Sequence, residues 1–248
     1  MAEKRIALVT GATGGLGTAI ASEMVTEGFT VAANYRSKEK AEKWLSQLED
    51  GVREGVHIFY GDVSDYDSVD NMVQEIEQRL GPIDVVVNNA GITRDKTLRK
   101  MGKEDWDGVI AANLTSVFNC SKHVIQGMID RGYGRIINIS SVNGQKGQIG
   151  QTNYAAAKAG IHGFTKSLAQ EVATKGVTVN TISPGYVATD MVTSIPQEII
   201  DKHILPTIPM HRLGGTYEIA HLVCFLASDK AKFITGADYS INGGQHMS

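Results

Sequence analysis

Cysteine is scarce in this chain of 248 residues: there are two, Cys120 and Cys224, each inside an apolar run with a helical look. Two thiols so placed exclude a disulfide-stapled scaffold and fit buried side chains in a reducing compartment. Long apolar stretches are missing as well. No run approaches the roughly 18 apolar residues of a membrane-spanning helix. The opening Met1-Ala2-Glu3-Lys4-Arg5 passes straight into a strand and lacks the apolar segment of a signal peptide. The expectation is a cytoplasmic protein with no membrane partner. Nor is there an excess of one charge: 24 Lys and Arg stand against 27 Asp and Glu, a formal net charge of -3, which gives no reason to expect nucleic acid. The histidines are scattered without ligand spacing, so no metal is expected. Proline is rare, and three of the five prolines (Pro196, Pro206 and Pro209) fall in one polar stretch, residues 189–211.

What is present is regular alternation. Ile6 to Thr10, Phe29 to Asn34, Val56 to Tyr60, Ile83 to Val87, Arg135 to Ile139, Val177 to Ile182 and Asp238 to Ile241 read as strands. Helical patterns separate them, such as Asp65 to Leu80 with Val69, Met72, Val73 and Ile76 on one face. One long helix or two abutting ones are expected from Trp106 to about Ile129, and another helix from Tyr154 to about Thr174. Apolar strands alternating with helices predict an α/β fold. The expected architecture is a single-domain, Rossmann-type doubly wound parallel sheet of about seven strands with helices on both faces, spanning 1–248. Ligands of such sheets sit at the carboxyl ends of the strands.

The first strand is followed by Gly11-Ala12-Thr13-Gly14-Gly15-Leu16-Gly17, which opens the first helix. Small residues there let the backbone approach a pyrophosphate, and the helix N-terminus offers N–H donors and positive potential. At the end of the second strand an acidic residue ordinarily holds the ribose diol of NAD. Here that place reads Asn34-Tyr35-Arg36-Ser37, with no carboxylate. Arg36 suits a 2′-phosphate, which favours NADP(H), the alternative being a solvated arginine ahead of a charged helix.

A third constellation lies between residues 141 and 158: a hydroxyl (Ser141), a phenol (Tyr154) and an amine (Lys158). Tyr154 and Lys158 are one helical turn apart, on one face. A phenol titrates near pH 10, and a neighbouring ammonium favours its ionised form and makes it a better acid. Such a pair is also ordinary helix-surface decoration, so its meaning depends on its surroundings.

Taken together and in order, Thr10-Gly11-x-x-x-Gly15-x-Gly17, Asn88-Asn89-Ala90-Gly91, Asn113, Ser141, Tyr154-x-x-x-Lys158 and Pro184-Gly185 resemble the short-chain dehydrogenase/reductase family over essentially the whole length. The resemblance implies a reductase in which Tyr154 gives its proton to a carbonyl oxygen held by Ser141. Lys158 would lower the Tyr154 pKa and bind the nicotinamide ribose, and Asn113 would hold a water in a proton relay. A depression of about three pKa units is worth roughly 4 kcal/mol. Gly11, Thr13, Gly14, Gly15, Leu16, Gly17 and Arg36 would meet the cofactor phosphates, Asp62 and Val63 the adenine, and Asn89, Ala90 and Gly91 the cofactor cleft. Pro184, Gly185, Tyr186, Val187 and Thr189 would close over the nicotinamide. Three alternatives stay open: Asn113 as a helix cap or kink, Ser140 as the working serine, and Asp62 as a loop cap.

Within the family the chain is most similar to the reductases of acetoacetyl-CoA that supply polyhydroxybutyrate synthesis. Gly91-Ile92-Thr93-Arg94-Asp95, residues 140–154 and Ser183 to Val192 carry the likeness. It implies an acyl-CoA thioester as substrate, with Asp95, Gln148, Ile149, Gln151 and Tyr186 around the acyl group, and (R)-3-hydroxybutyryl-CoA as product. The runner-up is a 3-oxoacyl-[acyl-carrier-protein] reductase. Against it, Gln170-Glu171 follow Leu168-Ala169 where those enzymes place Arg, and the run Ile129 to Tyr133 is less basic; Lys122, Lys166 and Lys175 could still dock an acidic carrier. A non-catalytic binding protein on this scaffold is the remote third. The likeness further implies a homotetramer built on the long helices and the last strand. Residues 189–211 are expected to form a substrate lid.

Overall fold

A computed structural model describes residues 4–189, 192 and 195–247. Seven parallel strands form one sheet in the order β3-β2-β1-β4-β5-β6-β7. The strands are β1 (Ile6–Val9), β2 (Thr30–Tyr35), β3 (Val56–Tyr60), β4 (Ile83–Asn88), β5 (Gly134–Ile139), β6 (Val177–Pro184) and β7 (Asp238–Ile241). The order reverses between β1 and β4. That switch point opens a crevice at the carboxyl ends of the strands.

Both sheet faces are buried, and strand residues alternate between two cores, as the period of two requires. Ala7, Val9, Val85, Val87, Ile137 and Ile139 face helices α1 (Gly15–Thr26) and α9 (Thr216–Ala227), which contribute Ile20, Met24, Ile219 and Val223. Trp44 of α2 (Lys38–Gln47) joins this side, and α3 (Asp50–Arg53) follows as one turn. Leu8, Val86, Ile136 and Val179 face the other way, toward α4 (Tyr66–Arg79), α6 (Ser116–Arg131) and α8 (Thr152–Val172). Local signals set the boundaries. The Asp65 carboxylate accepts from Ser68 N at 2.6 Å and starts α4, and Gly132, with φ 66°, ends α6 in the left-handed region.

Three segments go beyond the sequence reading. The long helix is continuous from 103 to 131, but α5 (Lys103–Ile110) passes into α6 through a π-helical stretch, Ala111–Thr115, rather than a junction of two helices. A short helix, α7 (Val142–Lys146), stands where periodicity shows nothing, because five residues are too few to declare a period. The apolar residues of 195–208 find a core of their own: Ile200, Ile204 and Ile208 are buried together, with Tyr186, Ile195, Leu205 and Leu213 packed on them. Of the proposed lid, Asp190, Met191, Thr193 and Ser194 lie outside the described residues.

Candidate active site

The glycine loop after β1 is shaped by two close approaches. Gly17 sits where a Cβ would lie 2.2 Å from Gly11 O and 2.8 Å from Ala12 Cα, so α1 can start only over a residue without a side chain. Gly11 adopts φ 61°, and a Cβ there would meet Ala90 Cα at 3.0 Å. The loop is thus pressed against the segment after β4. Thr10 clasps the two: its Oγ1 accepts from Asn89 N and Ala90 N at 3.0 Å each, and Asn89 Nδ2 donates to Thr10 O at 2.9 Å. No acidic residue occupies the first turn of α1, and Gly14 gives its N-cap no side chain. Thr13, Gly14, Gly15 and Leu16 therefore present backbone to the crevice mouth with the positive end of the helix dipole behind them.

At the end of β2, buried Asn34 accepts from Gly11 N at 3.3 Å and donates to Gly61 O at 2.9 Å, joining three strand ends. Arg36 follows it, exposed, with Ser37 at the N-cap of α2 making no cap bond. Asp62 accepts from Ser64 N at 3.0 Å and Ser64 Oγ at 2.6 Å. The Ser64 hydroxyl holds the Asp62 carboxyl below its ordinary range, and the Arg36 charge adds to this. The α4 cap is Asp65, so Asp62 closes an Asx turn instead. Val63 is buried, and its carbonyl takes Asn119 Nδ2 at 3.0 Å.

Asn113 lies inside the π-helical stretch, fully buried. Its Nδ2 donates to Ile92 O at 2.9 Å and to Val109 O at 2.8 Å, the carbonyl an α-helical Asn113 N–H would take. Its Oδ1 has no partner among the described residues. A Cβ on Gly91 would lie 2.4 Å from that oxygen and 3.6 Å from Lys158 Nζ, so these groups share one small space. The helical kink and the aimed oxygen are therefore one feature.

Ser141 caps α7, its Oγ accepting from Asn143 N at 3.1 Å, and it hydrogen-bonds the Tyr154 phenol. Ser140 is otherwise engaged: it donates to Lys158 O at 2.9 Å. Of the two serines, the geometry leaves Ser141 to face the phenol. Gly144 lets α7 rest on α8, since a Cβ there would meet Lys158 Cβ at 2.9 Å. Lys158 is buried, donates from Nζ to Ile139 O at 2.7 Å, and lies 5.6 Å from the Tyr154 ring centroid.

The electrostatics of the protein alone run against the expected direction. Burial pushes the Tyr154 phenol up to about 12, partly offset by the Ser141 hydrogen bond and reinforced by the Asp95 charge. Burial also pushes the Lys158 ammonium down to about 8. A net depression of the Tyr154 pKa is thus not what the protein alone gives: burial sets the direction, and the Lys158 ammonium, itself desolvated, lies over the ring.

The expected acyl-binding residues fall into two groups. Asp95 Oδ2 accepts from Gln151 Nε2 at 2.7 Å, and Gln151 Oε1 accepts from Asn143 Nδ2 at 3.0 Å, tying the mouth to α7. Gln148 accepts from Lys146 Nζ at 3.1 Å on an exposed loop, where Ile149 is 91% exposed. Tyr186 belongs elsewhere, packed with the Ile200–Ile204–Ile208 cluster and lining a cavity of about 330 Å³ with Met210, Arg212 and Gly214. Pro184 and Val187 are buried. Gly185 N donates to Ile241 O at 3.0 Å, Ala188 N to Gly214 O at 2.9 Å and Thr189 N to Val187 O at 2.7 Å. Sequence reasoning missed Thr10, Asn34 and Asn153 as organisers. Asn153 Nδ2 donates to Arg94 O at 3.2 Å and Asp105 O at 3.1 Å, and its Oδ1 receives Tyr154 N at 2.8 Å, which sets the start of α8. Only the burial of a polar side chain marks these residues, and burial is not a local property of sequence.

A glycine cradle at the switch point and a serine, tyrosine and lysine on adjoining helices define a dinucleotide-dependent oxidoreductase site. The family model for short chain dehydrogenases matches residues 5–199, and the chain belongs to that family. The chain is 56% identical to the acetoacetyl-CoA reductase of Cupriavidus necator over 98% of this chain and 99% of that protein. It is also 56% identical to nodulation protein G of Azospirillum brasilense, over 97% and 98% of the two chains. A 3-oxoacyl-[acyl-carrier-protein] reductase of Staphylococcus aureus is 46% identical over 97% and 98%.

Proposed function

We propose that this protein reduces acetoacetyl-CoA to (R)-3-hydroxybutyryl-CoA with NADPH, in the cytoplasm, as the supply step for polyhydroxybutyrate. The observation that carries the reading is the Ser141–Tyr154–Lys158–Asn113 arrangement, held at the switch point of a chain 56% identical to an acetoacetyl-CoA reductase. The cofactor fits on two counts: the Gly11–Gly17 loop, which opens α1 with a bare glycine at the N-cap and no acid in the first turn, and the unpartnered Asn113 oxygen beside Lys158. Gly11 to Gly17 hold the pyrophosphate, Asp62 and Val63 the adenine, Asn89 to Gly91 the cleft wall, and Pro184 to Val187 with Thr189 the nicotinamide end. Bound there, NADPH supplies the hydride. Ser141 Oγ holds the substrate carbonyl oxygen and Tyr154 delivers its phenolic proton to it. Lys158 holds the ribose, and Asn113 Oδ1 holds a water through which Tyr154 is reprotonated. A phenol held protonated by its surroundings suits the acid role in reduction.

Arg36, exposed just past the end of β2, a strand that ends without a carboxylate of its own, takes the 2′-phosphate. Replacing it with Ala is expected to raise the Kd for NADPH about tenfold or more and leave that for NADH within twofold. Fluorescence titration of both cofactors checks this, and an unchanged preference assigns the choice elsewhere.

Asp95, Gln148, Ile149 and Gln151 meet the acyl group at the crevice mouth, and residues 189–211 act as the lid, with the cluster around Ile204, on which Tyr186 packs, as its body. The protein assembles as a homotetramer. A second reading, reduction of the carrier-protein thioester, rests on the 46% identical Staphylococcus aureus relative. NADPH oxidation with acetoacetyl-CoA and with acetoacetyl-carrier-protein separates the two. A kcat/KM at least tenfold higher for the CoA ester is expected, and the reverse preference overturns the first reading.

A further inference from the structure

Away from the reacting groups, one carboxylate takes donors from two other elements and stands against the histidine of a third. Asp238, at the start of β7, accepts from Ser183 Oγ (β6) on Oδ1 at 2.6 Å and from Gln145 Nε2 (α7) on Oδ2 at 2.8 Å. His162 Nε2 (α8) lies 3.5 Å from Oδ2 and 3.3 Å from Ser183 Oγ. Gln145 Nε2 also donates to Ser240 Oγ at 2.8 Å. The charged groups facing His162 are Asp238 from β7 and Lys158 and Lys166 from its own helix; burial holds the imidazole below its ordinary pKa, Asp238 opposing.

The three segments so tied each lead into the catalytic apparatus. Gln145 is in the helix that Ser141 caps. His162 is one turn beyond Lys158 on the same face of α8. Ser183 precedes Pro184 and the loop at the nicotinamide end. Gln145 Oε1 is buried and has no partner among the described residues, and the Ser240 hydroxyl, which can accept or donate, suits either face of the amide, so the carboxylate decides which way it points. Turned over, it would set oxygen against oxygen. A charged acceptor therefore orients α7 in a way that a neutral amide, equally content with either face of Gln145, cannot.

We propose that Asp238 is a positioning residue for the reduction, holding α7, α8 and the Pro184 loop in the relation that lets Ser141 and Tyr154 meet one carbonyl oxygen. This rests on the acyl-CoA reductase reading. A displacement of an ångström at reacting groups costs up to about a hundredfold in rate, and a partial loosening of one helix is expected to cost about tenfold.

The test is single-turnover NADPH oxidation by the enzyme–NADPH complex mixed with saturating acetoacetyl-CoA, with NADPH affinity measured separately by fluorescence. For Asp238→Asn the expected result is a rate constant about tenfold lower, with full amplitude and NADPH Kd within twofold. A merely structural role lowers the amplitude, the fraction of active molecules, and leaves the rate constant alone. Gln145→Glu sets carboxylate against carboxylate, and its rate constant is expected to recover toward wild type as pH falls and the pair takes up a proton. A wild-type rate constant in Asp238→Asn, or no recovery in Gln145→Glu, overturns the proposal. If Asp238→Asn does not fold, Gln145→Glu carries the test. Absence of turnover by the unaltered protein rejects the substrate reading instead.

Discussion

Tyr154→Phe is expected to lower kcat/KM for acetoacetyl-CoA by about 10³ or more while leaving the NADPH Kd within a few-fold and the fold intact. The magnitude is that of a general acid removed from a reaction that needs a proton at its oxygen. The phenol has no replacement. The Ser141 hydroxyl acts on it, but that hydroxyl belongs to an N-cap and is the group proposed to hold the substrate oxygen. Lys158 Nζ, the other proton carrier, donates to Ile139 O and lies beside the ring. The ring itself stays, so packing at the start of α8 is unchanged. Steady-state kinetics with acetoacetyl-CoA decide it. A kcat/KM within tenfold of wild type would remove Tyr154 from the chemistry.

Lys158→Met is expected to cost on the order of 10² to 10³ in kcat and yet make the protein more stable at pH 7 by about 2 kcal/mol. A buried ammonium held down at about 8, from 10.5, carries a penalty of about 3 kcal/mol when charged. Methionine has similar length and no charge to desolvate; the lost bond to Ile139 O returns about 1 kcal/mol of the gain. The pH dependence follows. Below about pH 8 both folded and unfolded wild type hold the proton and the whole penalty applies. Between about pH 8 and 10.5 the unfolded chain binds more protons than the folded one, so wild-type stability gains on the variant as pH rises. The two buried thiols and Tyr154, pushed up to about 12, titrate in both proteins and cancel in the difference. Urea unfolding at pH 7 and pH 9.5 should show the stability gap narrowing. A variant less stable than wild type at pH 7 would mean that Lys158 earns its place by packing rather than by chemistry.

The correction at Tyr154 shows where reading a chain stops. The i, i+4 spacing places Tyr154 and Lys158 on one helical face, and that much holds. The direction in which the pKa of each moves depends on how deeply it is buried and on what else it touches. Residues 189–211 make the same point: their isoleucines have no visible partner in a linear reading, yet Ile200, Ile204 and Ile208 close a core with Tyr186 and Leu213. The π-helical turn at Asn113 is likewise silent in sequence, since Ala111–Thr115 is composed like any helix.

The sequence by itself determined the seven-strand parallel sheet, the glycine cradle, the absence of an acid after β2 and the order of serine, tyrosine and lysine. Each of these is local: a period, a missing side chain, a fixed spacing. Only the tertiary structure decided which serine meets the phenol, where Asn113 aims its free oxygen, which way burial moves Tyr154 and Lys158, and that Asp238 gathers Gln145 of α7 and Ser183 of β6 beside His162 of α8. Those are properties of groups distant in the chain and adjacent in space, and desolvation and hydrogen-bond direction come into being only when the chain has brought them together.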